Sequence, residues 1–337
     1  MPGLHDWMLE TWYGTTRRGA WLLPLSWLFA AVTWLRRRLY GAGLLQRYRS
    51  SRPVVVVGNV TVGGTGKTPL VIWLVERLRE RGFRPGVVSR GYSREAAAPR
   101  RVGPGDAPAD VGDEPALIAR RTGVPVAVGR ERPAAVRLLE QDCDVIVSDD
   151  GLQHYPLERD AEIIVVDGLR GLGNGWRLPA GPLREPASRL DEATAVVVNG
   201  EGYEQPGALA MHIVPQRFVG VASGAERAVQ SFLGREAHAV AAIGHPERFF
   251  QTLRDLGIAV RAHPLPDHAV PTAGQIGFDD GLPVLMTEKD AVKCAGIAGP
   301  AHWYLEVGAS FEPPQAARLL SIVEHACRRP TPAAKED

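Results

Sequence analysis

Gly63-Gly64-Thr65-Gly66-Lys67-Thr68, preceded by Val54-Val55-Val56-Val57 and followed by a helical stretch opening at Pro69, decides the fold. Four consecutive β-branched residues without a polar break predict a strand buried on both faces. Glycines placed after such a strand let successive backbone N–H groups turn inward on an anion; the lysine neutralises β and γ phosphate oxygens, and the hydroxyl beside it ligates Mg2+. Thr61, Val62, Gly63, Gly64, Thr65, Gly66, Lys67 and Thr68 are the candidate nucleotide contacts. The string departs from G-x-x-x-x-G-K-[ST] at its first glycine, where Thr61 stands. A glycine-rich turn without nucleotide is the competing reading.

Outward from this loop, short apolar runs alternate with helical stretches, as in a parallel sheet covered on both faces. Strands are expected at Val54 to Val57, Gly86 to Ser89, Pro125 to Val128, Val145 to Ser148, Ile163 to Val166 and Ala195 to Val198. A second set begins near Ala239, with a strand to Ile243, a helix from Pro246 to Leu256, a strand at Val284 to Met286 and a helix at Asp290 to Cys294. Between the sets, 200–224 reads as a connection broken by Gly, Pro and Gln around a short strand at His212 to Val214. The expected fold is a P-loop NTPase-type doubly wound parallel sheet, with a second, smaller α/β domain and an N-terminal amphipathic membrane-associating helix. The units are drawn at 1–51, 52–215 and 216–329, with a tail at 330–337.

Val145-Ile146-Val147-Ser148-Asp149-Asp150-Gly151 is the second chemical signal: an apolar strand ending in two carboxylates. A hard cation takes oxygen ligands and keeps water, so a carboxylate at the carboxyl end of a strand beside the phosphate loop suits Mg2+. Adjacent side chains on an extended strand face opposite ways, which gives Asp149 and Asp150 different jobs, one at the metal or its water and one orienting. A solvated turn is the alternative. Gly112-Asp113-Glu114-Pro115 reads equally well as a helix start and as a catalytic carboxylate site. The loop Asn174 to Pro186 is stiffened by prolines and presents Arg184, suited to a phosphate oxygen. His154 and His268 are lone histidines, a type more often structural than catalytic.

The ends and the averages set the class. With 39 Lys+Arg against 38 Asp+Glu, 337 residues and 45% hydrophobic content, the chain is an ordinary globular mixture, which argues against a globally basic nucleic-acid binder and against wholesale disorder. Three widely spaced cysteines, Cys143, Cys294 and Cys327, offer no disulfide framework and point to a reducing compartment. The first fifty residues differ: five of the eight tryptophans and seven arginines fall there against Asp6 and Glu10. The apolar run Trp21 to Leu35 is shorter than the roughly 20 residues of a membrane-crossing helix. Arg36 to Arg38 stand where a signal-peptide cleavage site would lie. An interfacial anchor fits, with Trp and Leu at the headgroup boundary and Arg on lipid phosphates; a helix packed on the protein's own core is the alternative.

Together these stretches resemble the tetraacyldisaccharide 4'-kinase family over nearly the whole chain. The resemblance is carried by Val57-Gly58-Asn59 through Gly66-Lys67-Thr68-Pro69, Ser89-Arg90-Gly91-Tyr92, Gly112 to Pro115, Asp149-Asp150-Gly151-Leu152-Gln153-His154, Leu178 to Pro186, Pro266-Asp267-His268 and Met286-Thr287-Glu288-Lys289-Asp290. Thr61 in place of the first loop glycine is itself similar to that family, whereas His245 in Gly244-His245-Pro246 stands where Asn is expected. The resemblance implies transfer of the ATP γ-phosphoryl group to the 4'-hydroxyl of a tetraacylated glucosamine disaccharide 1-phosphate, a lipid A precursor, at the cytoplasmic face of the inner membrane. It implies ATP and Mg2+ as cofactors, no obligate protein partner, and a two-stranded hinge between the domains. It implies Asp113, His268 and Arg184 as catalytic, Thr68, Asp149, Asp150 and Glu185 around the metal, and Tyr92, Glu114 and Gln153 at the substrate. A membrane-associated P-loop switch ATPase or a soluble small-molecule P-loop kinase would share the loop; the former often carries an extra early Lys where Thr61 and Val62 stand, and the latter needs no Trp/Arg-rich anchor.

Overall fold

The computed structural model describes residues 4–14, 19–91, 98–103 and 105–328. Along the chain the strands are β1 (Val54–Gly58), β2 (Pro85–Ser89), β3 (Arg100–Arg101), β4 (Val126–Val128), β5 (Val145–Asp149), β6 (Ala161–Asp167), β7 (Ala195–Asn199), β8 (Leu209–Gly220), β9 (Glu226–Ala228), β10 (Glu236–Ala241), β11 (Ala259–Pro264), β12 (Val284–Thr287) and β13 (His302–Ser310). They form one sheet in the order β11-β10-β12-β13-β8-β7-β6-β1-β5-β2-β4-β3, with β9 on β8. From β2 through β7 the pairs are parallel. In β1 the period-2 alternation divides the valines: Val55 and Val57 enter one apolar core and Val54 and Val56 another, so both faces are covered.

The helix Lys67–Glu80 covers the first face because Leu70, Leu74 and Leu78 recur every fourth residue, with Val71 and Val75 beside them, and all are fully buried. Each such leucine contributes roughly 1.5–3 kcal/mol by leaving water. The helix Pro313–Arg328 lies on the same face, its Leu319 and Val323 in one cluster with Leu70 and Leu74. The sequence reading put 313–328 in the second unit; the chain instead returns to the first.

β8 is the crossing point. Leu209 to Met211 run parallel to β7, whereas His212 to Gly220 run antiparallel to β13. The short strand expected at His212 to Val214 is therefore the middle of a longer one. Pro215 and Gln216, which read as breakers, sit where the register shifts opposite Glu306 and Val307. Such a shift absorbs the N–H that proline lacks. Through β8 and β13, β10, β11 and β12 and the helices Pro246–Asp255 and Glu288–Cys294 join the larger part around cores that include Phe218, Phe250 and Trp303. Two helices, Leu4–Tyr13 and Leu23–Gly41, precede β1.

Candidate active site

The phosphate loop leaves β1 between two fixed walls. On one side the Val62 N–H donates to the Pro182 carbonyl at 2.9 Å and Thr61 bridges Leu183, which backs the loop with the proline-rich segment. On the other, the Asn199 amide donates to the Thr65 carbonyl at 3.1 Å. Gly63 and Gly66 have φ of 111° and 94°, a left-handed backbone that side chains resist. At Gly66 a Cβ would also stand 2.6 Å from Asn199 Nδ2. Below the loop, the Asn59 amide reaches the Gly63 carbonyl and the Gln153 amide donates to the Asn59 carbonyl at 3.1 Å. Gln153 thus braces the loop, where the sequence placed it at the substrate. The Tyr13 hydroxyl donates to the Val62 carbonyl at 3.3 Å, tying the first helix to the same loop.

The register of β1 with β5 pairs Val57 with Asp149, so the two carboxylates emerge level with the start of the loop. They differ because β5 ends at Asp149 and Asp150 already lies in the turn beyond it. Asp149 is buried, takes a 3.4 Å bond from Ser89 Oγ, and keeps Oδ1 without a hydrogen-bond partner. Burial first, then Glu114 and Asp150, push its carboxyl up to about 7. Asp150, at φ 50°, turns outward to meet Lys67 Nζ at 3.3 Å and Arg184 at 3.5 Å. Burial works against its charge, but Lys67 and Arg184 hold it below the usual carboxylate range. Behind them the buried Arg132 donates to the Asp149 carbonyl at 3.1 Å; burial pulls that guanidinium down to about 10.

Glu185 goes elsewhere. Its neighbour Arg184 faces Asp150, and Glu185 turns inward to accept the Tyr155 hydroxyl at 2.5 Å. The course of the loop, which bends at both positions, separates the two neighbours. Tyr92 lies outside the described residues.

Asp113 and Glu114 open the helix Asp113–Thr122, where carboxylates complement the helix dipole. Both are met by the second part of the molecule. His268 Nδ1 lies 3.5 Å from Asp113 Oδ2, and Lys293 Nζ lies 3.3 Å from the same oxygen. Lys289 Nζ lies 2.5 Å from Glu114. The Lys289 ammonium holds Glu114 below the carboxylate range against the pull of its burial, and Lys67 adds to that hold. Farther along the same helix, Arg121 clamps Glu288 with contacts of 2.9 Å to both carboxylate oxygens. Sequence reasoning missed Asn59, Asn199, Arg132, Lys289 and Lys293 as contributors. The four-residue spacing of Lys289 and Lys293 on a short helix was the available signal for the last two.

A phosphate loop after the central strand, a lysine paired with a carboxylate just past the end of the adjacent strand, and an arginine converging on that carboxylate define a P-loop nucleotide-binding α/β protein. The profile of the family described as Tetraacyldisaccharide-1-P 4'-kinase matches residues 18–324. The chain belongs to that family. It is 47% identical over 319 residues to the tetraacyldisaccharide 4'-kinase of Methylobacillus flagellatus, covering 94% of this chain and 95% of that one. It is 53% identical over 302 residues to that of Alkalilimnicola ehrlichii, covering 88% and 90%. Among solved structures it is similar to LpxK from Aquifex aeolicus in complex with ATP, with a TM-score of 0.78, 28% identity, and coverage of 91% of this chain and 99% of that chain. The chain is accordingly a kinase of lipid A biosynthesis.

Proposed function

We propose that the protein transfers the γ-phosphoryl group of ATP to the 4'-hydroxyl of a tetraacyldisaccharide 1-phosphate, with Asp113 accepting the hydroxyl proton. The observation that carries this reading is the meeting of Asp113 and His268 from two parts of the chain. Beside it stands Glu114, whose carboxyl feels Lys67 of the phosphate loop. In the transfer the sugar oxygen bonds to phosphorus, the bond to the β-phosphate oxygen breaks, and ADP leaves. The hydroxyl proton passes to Asp113, and His268 orients that carboxylate and shares the proton. Lys67 and Arg184 meet the phosphates, so their present partner Asp150 is displaced or shared when nucleotide enters.

The residues fit a Mg2+ ion. Asp149 Oδ1 is a buried oxygen without a hydrogen-bond partner, and Thr68 sits at the start of the loop helix as that ion's usual hydroxyl donor. Among the described residues no three His, Cys, Asp or Glu side chains gather as a metal cage, so the ion would also depend on phosphate oxygens. When bound, Mg2+ would neutralise charge on those oxygens.

The N-terminal helices support work at a membrane surface. Ser26 donates to the Arg177 carbonyl at 2.9 Å and accepts the Ala180 N–H at 3.0 Å, and Arg37 pairs with Glu192. The same region leaves Trp21, Leu25, Trp27, Leu28, Trp34 and Leu35 more than half exposed. Such an apolar face beside arginines suits the headgroup boundary. Among the described residues no helix is long and apolar enough to cross a membrane. The cytoplasmic face of the inner membrane is the side on which ATP meets a bilayer-held precursor.

The test is transfer of labelled γ-phosphate to tetraacyldisaccharide 1-phosphate in detergent micelles, compared with ATP hydrolysis without lipid. A labelled 1,4'-bisphosphate is expected; hydrolysis unchanged by the lipid would overturn the reading.

A further inference from the structure

We infer that Lys293 is a positioning residue for phosphoryl transfer: it fixes Asp113 and the His268 loop to one point, with Asp290 as its permanent counter-charge. The inference rests on the reading of Asp113 as proton acceptor. Lys293 is almost wholly buried, its side chain only 3% exposed, an environment that an ammonium tolerates only when paired. Three oxygens surround it at 3.3 Å: Asp113 Oδ2, Asp290 Oδ1 and the Ala269 carbonyl. Each belongs to a different segment: the helix Asp113–Thr122, the helix that carries Lys293, and the loop next to His268.

Asp290 is built for this task. It is fully buried, and its Oδ2 is occupied by the Thr287 hydroxyl at 2.6 Å and the Ala242 N–H at 3.0 Å, which leaves Oδ1 to the ammonium. The Ala242 carbonyl in turn accepts the His268 N–H at 3.2 Å. His268 stands at φ 60°, a conformation that a histidine holds only when its surroundings impose it. Lys293 and Asp290 supply two of those ties, at Ala269 and Ala242. His268 and Lys293 therefore hold the same oxygen of Asp113, one by its ring and one by its charge. When Asp113 takes the substrate proton its charge is lost, and Asp290 Oδ1, 3.3 Å away, still holds Lys293 in place. The other groups around Asp113 are Glu114 with Lys289 on the facing helices and Asp267 beside His268.

The experiment uses the full chain with Lys293→Met, Lys293→Arg and the charge-neutral double variant Lys293→Met/Asp290→Asn, which leaves no unpaired buried charge. Asp113→Asn is measured in parallel. Turnover and the KM for ATP are measured across pH. In the folded double variant, kcat is expected to fall at least about tenfold with KM for ATP within about twofold. Lys293→Arg should recover part of kcat. Near-normal kcat in a folded double variant, or a KM for ATP that rises in step with the loss of turnover, overturns the role of Lys293. Near-normal kcat in Asp113→Asn overturns the proton-acceptor reading instead.

Discussion

The phosphate loop and the Asp113 cluster lie side by side but are built in opposite ways. The loop is one run of chain whose donors are its own backbone, and its walls, Pro182, Asn199 and Asn59, all belong to the larger part of the molecule. The Asp113 cluster has no such unity: Asp113 and Glu114 come from the larger part, and His268, Lys289 and Lys293 come from the part beyond β8. A fault in the loop stays local, whereas the cluster depends on how two parts meet. Nucleotide binding and proton transfer should therefore be separable by mutation.

The largest effect belongs to the loop. Lys67→Ala or Thr68→Ala should lower kcat/KM by about 10³-fold or more, since each removes charge or a ligand from the transferring phosphate. Near-normal kcat/KM in Lys67→Ala would break the assignment. Next, Asp113→Ala, His268→Ala and the double variant should each lose about 10²- to 10⁴-fold in kcat, to similar extents and with ATP binding retained. Multiplicative losses in the double variant would show two independent residues. Arg184→Ala should cost kcat about 10²-fold and ATP affinity much less, if it meets charge that develops only in transfer. Equal losses in binding and turnover would make it a ground-state contact like the loop itself.

Smaller effects test the surroundings. Replacing Trp21, Trp27 and Trp34 together by Ser should weaken binding to anionic vesicles several-fold and leave ATP affinity unchanged, because all three residues are more than half exposed. This is cleaner than deleting 1–38, which would also remove Tyr13 from the loop and Ser26 from the Arg177 segment. Unchanged vesicle binding would remove the membrane face. The smallest effect is on stability. Burial, then Arg132 and Arg159, pull His154 down to about 4, and its Nε2 accepts the Arg132 N–H. Below the unfolded value of about 6.5 the unfolded chain takes up a proton that the folded chain refuses. Stability should fall as pH drops from there toward 4, and urea unfolding of His154→Gln should show a shallower fall. An unchanged slope would mean that His154 is free to charge.

Much of this was legible in the residues. The six apolar runs from Val54 to Val198 are strands because they are buried on both faces and so carry no polar interruption. β11 was missed for the converse reason: Ala259 to Pro264 is an edge strand with no fully buried residue, and pairing leaves little mark on such a sequence. β8 was read too short because Pro215 and Gln216 look like breakers unless the partner strand shifts its register to take them. Glu185 could not be separated from Arg184 by composition, since only the course of the loop decides which of two neighbours turns toward Asp150.

By itself the sequence determined the phosphate loop, the aspartates that follow β5 and the apolar helix ahead of β1, because in each the chemistry is written within one short run of chain. Tertiary structure alone decided that Pro313–Arg328 packs on the larger part and that Lys293 meets Asp113. It also decided that two faces of one N-terminal helix have different neighbours. Those contacts join residues far apart in the chain, and no local pattern encodes a partner that only a strand crossing between two parts of a sheet brings into reach.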